Sequence, residues 1–378
     1  MKICLINNLY YPFARGGAER IVEIIFDKLK HEKHQVFIIT TKPYKIKNKT
    51  LNKKIYYINS LYYNLNKIPK IIRLFWHLID IFDIKNYFKI KKILKKEKPD
   101  IVMTHNLKGI GFLIPRVIKK LKIKHIHTLH DIQLIHPSGL MYYGEEKKVL
   151  GIFPKIYYKI CIYLFLNIDT IISPSQWLLK EHTKKGFFKN SNKKVIPNPV
   201  ILKNVNFKIS KFKKINNFLY VGQLEKHKGI MFLIDVFLKL NLKLIIAGSG
   251  SYKNKIRRID SKNKNIIFVG QKNNKEILNL MQSADCLIVP SFCYENSPTV
   301  IYEAAMLGLP VIASKIGGIT DLIHDLGGFL FFPLDEKDLI SKIKYAIKNL
   351  QKFKKIGKHS KEKIKKYSIN NYIKKIVN

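Results

Sequence analysis

The sequence predicts an α/β protein of two doubly wound, Rossmann-like domains facing a central cleft, and three observations predict it. The 378 residues exceed the roughly 150 of one ordinary domain. Short apolar runs alternate with helix-length amphipathic segments, which is the rhythm of a parallel sheet with crossover helices. That rhythm stops in a polar, Lys/Asn-rich stretch around residues 203–216 and then starts again.

In order along the first half, Lys2–Asn7, Gln35–Thr41, Asp100–Thr104, Lys124–Leu129, Asp169–Ser173 and Lys194–Ile196 read as strands. In the second half, Phe218–Gly222, Leu242–Ala247, Ile266–Gly270, Cys286–Pro290 and Pro310–Ala313 do so. The expected division is residues 1–205, 206–355, and closing helices over 356–378 that pack back on the amino-terminal domain. Ligands of such sheets sit beyond the carboxyl ends of strands, so chemistry is sought in the loops that follow them.

Composition narrows the partners. Lys and Arg number 70 against 26 Asp and Glu, a formal net charge of +44, which points to anionic ligands or surfaces. Only six of the 70 are Arg, whereas base reading leans on the planar Arg fork, and no helix-turn-helix, zinc or aromatic-strand signature accompanies the charge. Nucleic acid is therefore not expected as a partner; a Lys-rich codon background explains the charge equally well. Cys4, Cys161, Cys286 and Cys293 form no C-x-x-C pair and no metal-ligand spacing, which suits a reducing cytoplasm. The apolar run at Met1–Ile6 is too short for a secretory leader, and no run approaches the roughly 18 residues of a membrane span. Leu61–Lys98 is basic and aromatic, with Phe75, Trp76, Phe82 and Phe88 among lysines: it reads either as a helix lying on an anionic membrane face or as ordinary helices packed on the sheet.

Four loops carry the candidate chemistry. After the first strand, Gly16-Gly17 feeds a helix over Ala18–Lys30, a place where backbone N–H groups approach an anion, although a plain tight turn has the same residues. It lacks the spacing of a dinucleotide site. The strand Lys124–Leu129 ends in His130-Asp131, suited to acid/base work or sugar-hydroxyl contacts; His105, His125 and His127 nearby invite a metal, but no carboxylate or Cys spacing completes a set. Gly222-Gln223-Leu224-Glu225-Lys226-His227-Lys228-Gly229 places Lys228 at a helix start, where it suits a phosphate or is simply solvated. Finally, Ser297 and Pro298 read as N-cap and N1 of a helix whose free N–H groups take a phosphate, with Glu295 in the loop and Glu303 on the helix as acceptors for sugar or ribose hydroxyls.

Together these motifs resemble the retaining, group 1 glycosyltransferases of GT-B fold, the E-x7-E type that uses nucleotide sugars. The resemblance covers nearly the whole chain: Gly16-Gly17-Ala18-Glu19, His130-Asp131, Val195 to Val200, Gly222 to Gly229, and Glu295 with Glu303. It implies an acceptor-binding amino-terminal domain and a nucleotide-sugar-binding carboxyl-terminal domain. By position it implies His130, Glu295 and Lys228 as catalytic, with Gly16, Gly17, Gln223, Lys228, Ser297, Thr299 and Val300 around the donor diphosphate and sugar. Glu303 falls on the ribose-binding glutamate.

No D-x-D occurs in the chain, so no metal or other cofactor is expected beyond a UDP- or GDP-linked sugar as substrate. The implied acceptor is a glycan or lipid-linked acceptor of cell-surface polysaccharide or lipopolysaccharide synthesis. The family turn usually carries Arg where this chain has Gln223, which removes one diphosphate charge. Three alternatives stay open at this point: another GT-B nucleotide-sugar enzyme such as an epimerase or phosphorylase, a basic nucleic-acid-binding protein, and a sugar-nucleotide-binding protein that has lost turnover through Gln223.

Overall fold

The structure, a computed structural model, describes residues 1–13, 16–44, 54–67, 69–147, 151–202 and 214–377. Arg15 and the expected 205/206 boundary lie outside them. The chain forms two compact units: Met1–Leu140 with Lys147–Pro199 and Ile369–Asn378, and Met141–Glu146 with Val200–Ser368.

The first unit runs β1 (Lys2–Ile6), α1 (Gly17–His31), β2 (Gln35–Lys42), β3 (Ile55–Asn59), α2 (Lys70–Ile81), α3 (Ile84–Glu97), β4 (Ile101–Thr104), α4 (Ile114–Lys120), β5 (Lys124–Thr128), α5 (Ile152–Leu164), β6 (Thr170–Ser173), α6 (Gln176–Lys184) and β7 (Asn192–Val195). All its strand pairs are parallel, in the order β3-β2-β1-β4-β5-β6-β7. Crossovers between parallel strands need helices, and the helices are capped where the sequence supplies a cap: Asp83 accepts from Asn86 N at 2.8 Å and Ser175 from Leu178 N at 3.2 Å.

The second unit runs β8 (Asn217–Val221), α7 (Ile230–Leu240), β9 (Lys243–Ala247), α8 (Lys253–Asp260), β10 (Ile266–Gly270), α9 (Asn274–Ser283), β11 (Cys286–Val289), α10 (Thr299–Leu307), β12 (Val311–Ser314), α11 (Gly317–Leu326), β13 (Phe329–Phe331), α12 (Glu336–Lys348) and α13 (Leu350–Lys363). Its parallel order is β10-β9-β8-β11-β12-β13. Both faces of this sheet are buried. Leu287 of β11 joins Ile301 and Ile319 on one side, while Ile288 joins Phe218 and Phe237 on the other, so the strand reads as a continuous apolar run rather than an alternation.

Two strands were not expected from the sequence, β3 and β13. Both are edge strands, paired on one side only, and each is just partly buried, which weakens the apolar run that marks the others. The closing segment expected over 356–378 divides. Residues 356–368 belong to the second unit, where Ile364 and Tyr367 enter the core, whereas α14 (Ile369–Val377) packs on α1 of the first unit through Tyr372, Ile373 and Ile376. Residues 141–146 likewise leave the first unit for the second. Among the described residues no helix is long and apolar enough to cross a membrane.

Candidate active site

Loops at the carboxyl ends of parallel strands open a crevice where the strand order reverses. That reversal lies between β1 and β4 in the first unit and between β8 and β11 in the second. Gly16 and Gly17 follow β1, Gln223 and Lys228 follow β8, and Glu295 follows β11. His130 follows β5, which pairs with β4. Each unit's candidate residues therefore gather at that unit's switch point.

In the first unit Gly16 is the residue before α1, with extended backbone, and its N–H donates to Glu19 Oε2 at 2.7 Å. Glu19 is buried in this role, and Gly17 opens the helix. At the end of β4, His105 Nδ1 lies 2.9 Å from His130 Nε2. His105 is buried and its Nε2 has no partner, so the assignment of least cost puts the shared proton on His105 Nδ1 and leaves His130 Nε2 as acceptor. Burial holds His130 down to about 4 and His105 well below its ordinary value, the latter helped by the neighbouring imidazole, so both are neutral at pH 7. Asp131 next to it is pushed up to about 6 by burial, against the pull of the Gln133 backbone N–H and Lys108. Its Oδ1 accepts from Gln133 N at 2.7 Å, and the Gln133 side chain reaches Asn106 Oδ1 at 2.5 Å.

His125 and His127 do something other than ligate. Thr104 Oγ1 lies 2.7 Å from His125 Nε2 and 2.8 Å from His127 Nδ1, a polar tie between β4 and β5. Among the described residues no group of three or more His, Cys, Asp or Glu is placed to hold a metal ion.

In the second unit the turn after β8 is laid against the turn after β9. Leu224 N donates to Ser249 O at 2.9 Å, and Ser251 N and Oγ donate to Glu225 at 2.8 and 2.7 Å. Gln223 is exposed, and its carbonyl accepts the Tyr220 hydroxyl at 2.6 Å. A short 3-10 turn over Lys226–Lys228 then ends at Gly229, whose φ of 72° and approach to the Pro290 carbonyl, 1.8 Å from where a Cβ would stand, allow no side chain. This close pass brings the β8 loop to the β11 loop.

There Lys228 Nζ pairs with Glu295 Oε2 at 2.6 Å, and the Ser291 hydroxyl donates to Glu295 Oε1. Both side chains are largely buried, 23% and 13% exposed. Burial by itself lowers Lys228 and raises Glu295, but the opposite charge reverses both: Lys228 ends above and Glu295 below its ordinary value, so the pair stays ionised. The loop is fixed further by Tyr294, whose hydroxyl donates to Glu146 Oε1 at 2.7 Å, and by Gly318 N, which donates to Glu295 O at 2.8 Å.

The helix start differs by one residue from expectation. Pro298, with extended backbone, is the N-cap of α10, and Thr299 and Val300 are its first residues. Ser297 does not cap, because its Oγ lies 2.5 Å from the Tyr302 hydroxyl, which leaves the amino-terminal N–H groups of Thr299 and Val300 without a capping side chain. Glu303, one turn further, is buried.

Sequence reasoning missed Ser291, Glu225 and Gln133, whose polar side chains orient the loops, and named His105 only for a metal. His105 had a signal: it ends the strand beside the one that leads to His130.

The comparisons with known proteins agree with this architecture. Residues 15–204 match the model of Glycosyltransferase Family 4, and residues 203–363 match that of glycosyl transferases group 1. A 42.6 kDa protein in the cps region of Klebsiella pneumoniae is 30% identical over 360 residues, 90% of this chain and 92% of that protein. Part of the Salmonella typhimurium lipopolysaccharide 1,2-N-acetylglucosaminetransferase is 28% identical over 170 residues, 40% of this chain and 45% of that enzyme. Among solved structures, sucrose-phosphate synthase from Thermosynechococcus elongatus superposes with a TM-score of 0.75 at 21% identity, covering 100% of this chain and 97% of that one. HepE of Anabaena in complex with UDP does so with 0.74 at 18%, covering 100% and 98%. The fold is that of a GT-B glycosyltransferase. The chain belongs to the group 1 glycosyltransferase family and is a glycosyltransferase.

Proposed function

We propose that the enzyme transfers a hexosyl or N-acetylhexosaminyl group from a UDP- or GDP-linked sugar to a glycan or lipid-linked acceptor, with retention at the anomeric carbon and without a metal or other cofactor, in cytoplasmic steps of surface polysaccharide or lipopolysaccharide synthesis. The observation that carries this is the ionised pair between Lys228 of the β8 turn and Glu295 of the loop that leads into the uncapped start of α10. Lys228 and the N–H groups of Thr299 and Val300 supply positive potential for a diphosphate. Glu295 and Glu303 supply carboxylates for sugar and ribose hydroxyls. Ser297 and the Gln223 backbone shape the loops around them, and Gly17, at the start of α1, offers a backbone N–H, whereas that of Gly16 is taken by Glu19.

The bond from the anomeric carbon to the diphosphate breaks as the bond to the acceptor oxygen forms on the same face, and the acceptor's proton leaves with the diphosphate oxygen. Negative charge grows on the diphosphate, so cations and helix N-termini there favour the transition state over the ground state. His130, neutral at pH 7, contributes a hydrogen bond rather than a charge. The relatives in the cps region and in lipopolysaccharide synthesis support the acceptor class, and the UDP complex of HepE supports a nucleotide-sugar donor. Nucleic acid is not a partner in this reading.

The test is calorimetric titration of UDP and GDP into wild type and Glu303→Ala without added metal. One nucleotide is expected to bind, and the variant to weaken it by well over tenfold, about 1.4 kcal/mol or more. Binding of neither, or equal binding to the variant, overturns the reading.

A further inference from the structure

The basic, aromatic stretch of the first unit splits between two roles. Trp76 and Ile81 of α2 are buried, and Trp76 packs on Tyr62. The opposite stripe of the same helix, Phe75, Ile79 and then Phe82 at its C-cap, points into solvent at i, i+4, i+7 spacing. Phe88 of α3 and Ile152 and Phe153 of α5 are also more than half exposed. These helices meet: Phe82, Leu113, Arg116 and Tyr163 line one shallow groove, and Leu113, Arg116 and Tyr163 also line its neighbour with Phe88.

The charge on this face is of one sign. The carboxylates of α2, α3 and its N-cap are all engaged: Asp80 accepts from Gly109 N at 2.8 Å, Asp83 caps α3, and Glu97 pairs with Lys2 at 2.7 Å. No Asp or Glu occurs in α4 or α5. Against them stand the exposed Lys85, Lys89, Lys92 and Lys95 of α3 and Lys155 and Lys159 of α5. The core of a protein interface is depleted in Lys, whereas here lysines alternate with protruding Phe and Ile on the same helices. Side chains in that arrangement insert their apolar ends at a headgroup boundary while the ammonium groups stay among the phosphates.

We propose that the outer face of α2, α3 and α5 seats the protein on an anionic lipid bilayer. This goes beyond the transfer reaction and stands whether or not the donor reading holds.

The test is flotation of the full chain with phosphatidylcholine vesicles, with and without a third of phosphatidylglycerol, at low and at high salt. Wild type is expected to float with the anionic vesicles and less so at high salt, where surface charge is screened. The triple variant Phe75→Ser, Ile79→Ser, Phe88→Ser removes only exposed side chains and is expected to lower partition by about tenfold or more, while its nucleotide titration stays that of wild type. Ile79→Trp gives a second readout, a blue shift of its emission on anionic vesicles. Equal flotation of wild type and triple variant, or no shift from the introduced Trp, overturns the proposal. So does wild type that ignores vesicles and instead binds poly-glutamate, which would mark an acidic protein partner. A failed nucleotide titration with intact flotation would sink the donor reading alone.

Discussion

Removing Lys228 tests the candidate site most directly. In Lys228→Met the Glu295 carboxylate, 13% exposed, keeps the Ser291 hydroxyl but loses its counter-ion at 2.6 Å. Stranding one partner of a buried pair costs roughly 3–5 kcal/mol. Because Lys228 itself is 23% exposed, the lower end applies, about 3 kcal/mol. Glu295→Gln should cost less, about 1–2 kcal/mol, since the freed ammonium can turn toward water. The double variant carries no stranded charge, so the cycle should show a coupling of about 2 kcal/mol or more. The assay is urea unfolding followed in parallel by far-UV circular dichroism and by Trp fluorescence, fitted as two transitions because the chain has two units. Both tryptophans, Trp76 and Trp177, lie in the first unit. Their transition should stay put while the dichroism transition moves. Turnover is expected to fall by about a hundredfold or more in Lys228→Met and not to return in the double variant, although stability does. Coupling within about 0.5 kcal/mol, or turnover restored together with stability, would refute the reasoning.

Two further outcomes concern the first unit and one the second. His105→Phe takes the hydrogen bond from His130 while filling its space, and is expected to lower kcat about tenfold, the equivalent of roughly 1.4 kcal/mol, with KM little changed; His105→Gln should recover much of it, and an unchanged kcat in His105→Phe would remove His105 from the mechanism. Acid should loosen this unit. Burial depresses His125 to about 3, His130 and His182 to about 4, and His105 and His127 well below normal, so between their unfolded value of about 6.5 and those values the unfolded chain takes up protons the folded one refuses. Asp131 and Asp80, raised to about 6 and 8, act in the other direction as pH rises through those values. Burial also lowers His136 and raises Asp83, so with six imidazoles against three carboxylates the urea midpoint by Trp fluorescence should fall from pH 6.5 toward 4.5, and a flat profile would contradict the burial of these rings. In the second unit, Gln223→Arg should leave nucleotide binding intact or stronger, because Gln223 is exposed and only its backbone carbonyl is engaged; a large loss by calorimetry would mean that the turn presents this side chain elsewhere.

Strands with two buried faces, such as Cys286–Val289, were legible along the chain, because burial on both sides demands an unbroken apolar run. So were the loops that carry chemistry, since glycines at turns and a helix start after a strand are local signals: Gly229 and Glu295 could be placed from a few neighbours. Edge strands β3 and β13 were not legible, being partnered on one side and half exposed, so their hydrophobic signal is weak. Pairings between residues far apart in the chain came from the folded arrangement alone. Lys228 and Glu295 are 67 positions apart, and alone the first reads as a phosphate site or a solvated charge and the second as an acceptor for sugar hydroxyls; the close pass of Gly229 under the Pro290 carbonyl makes them an ion pair. Tertiary packing likewise sent residues 369–377 to α1 while 356–368 stayed with the second core. Local chemistry is written in neighbouring residues, but which charges meet, and which helix covers which face, depends on contacts between distant segments that no short window of sequence contains.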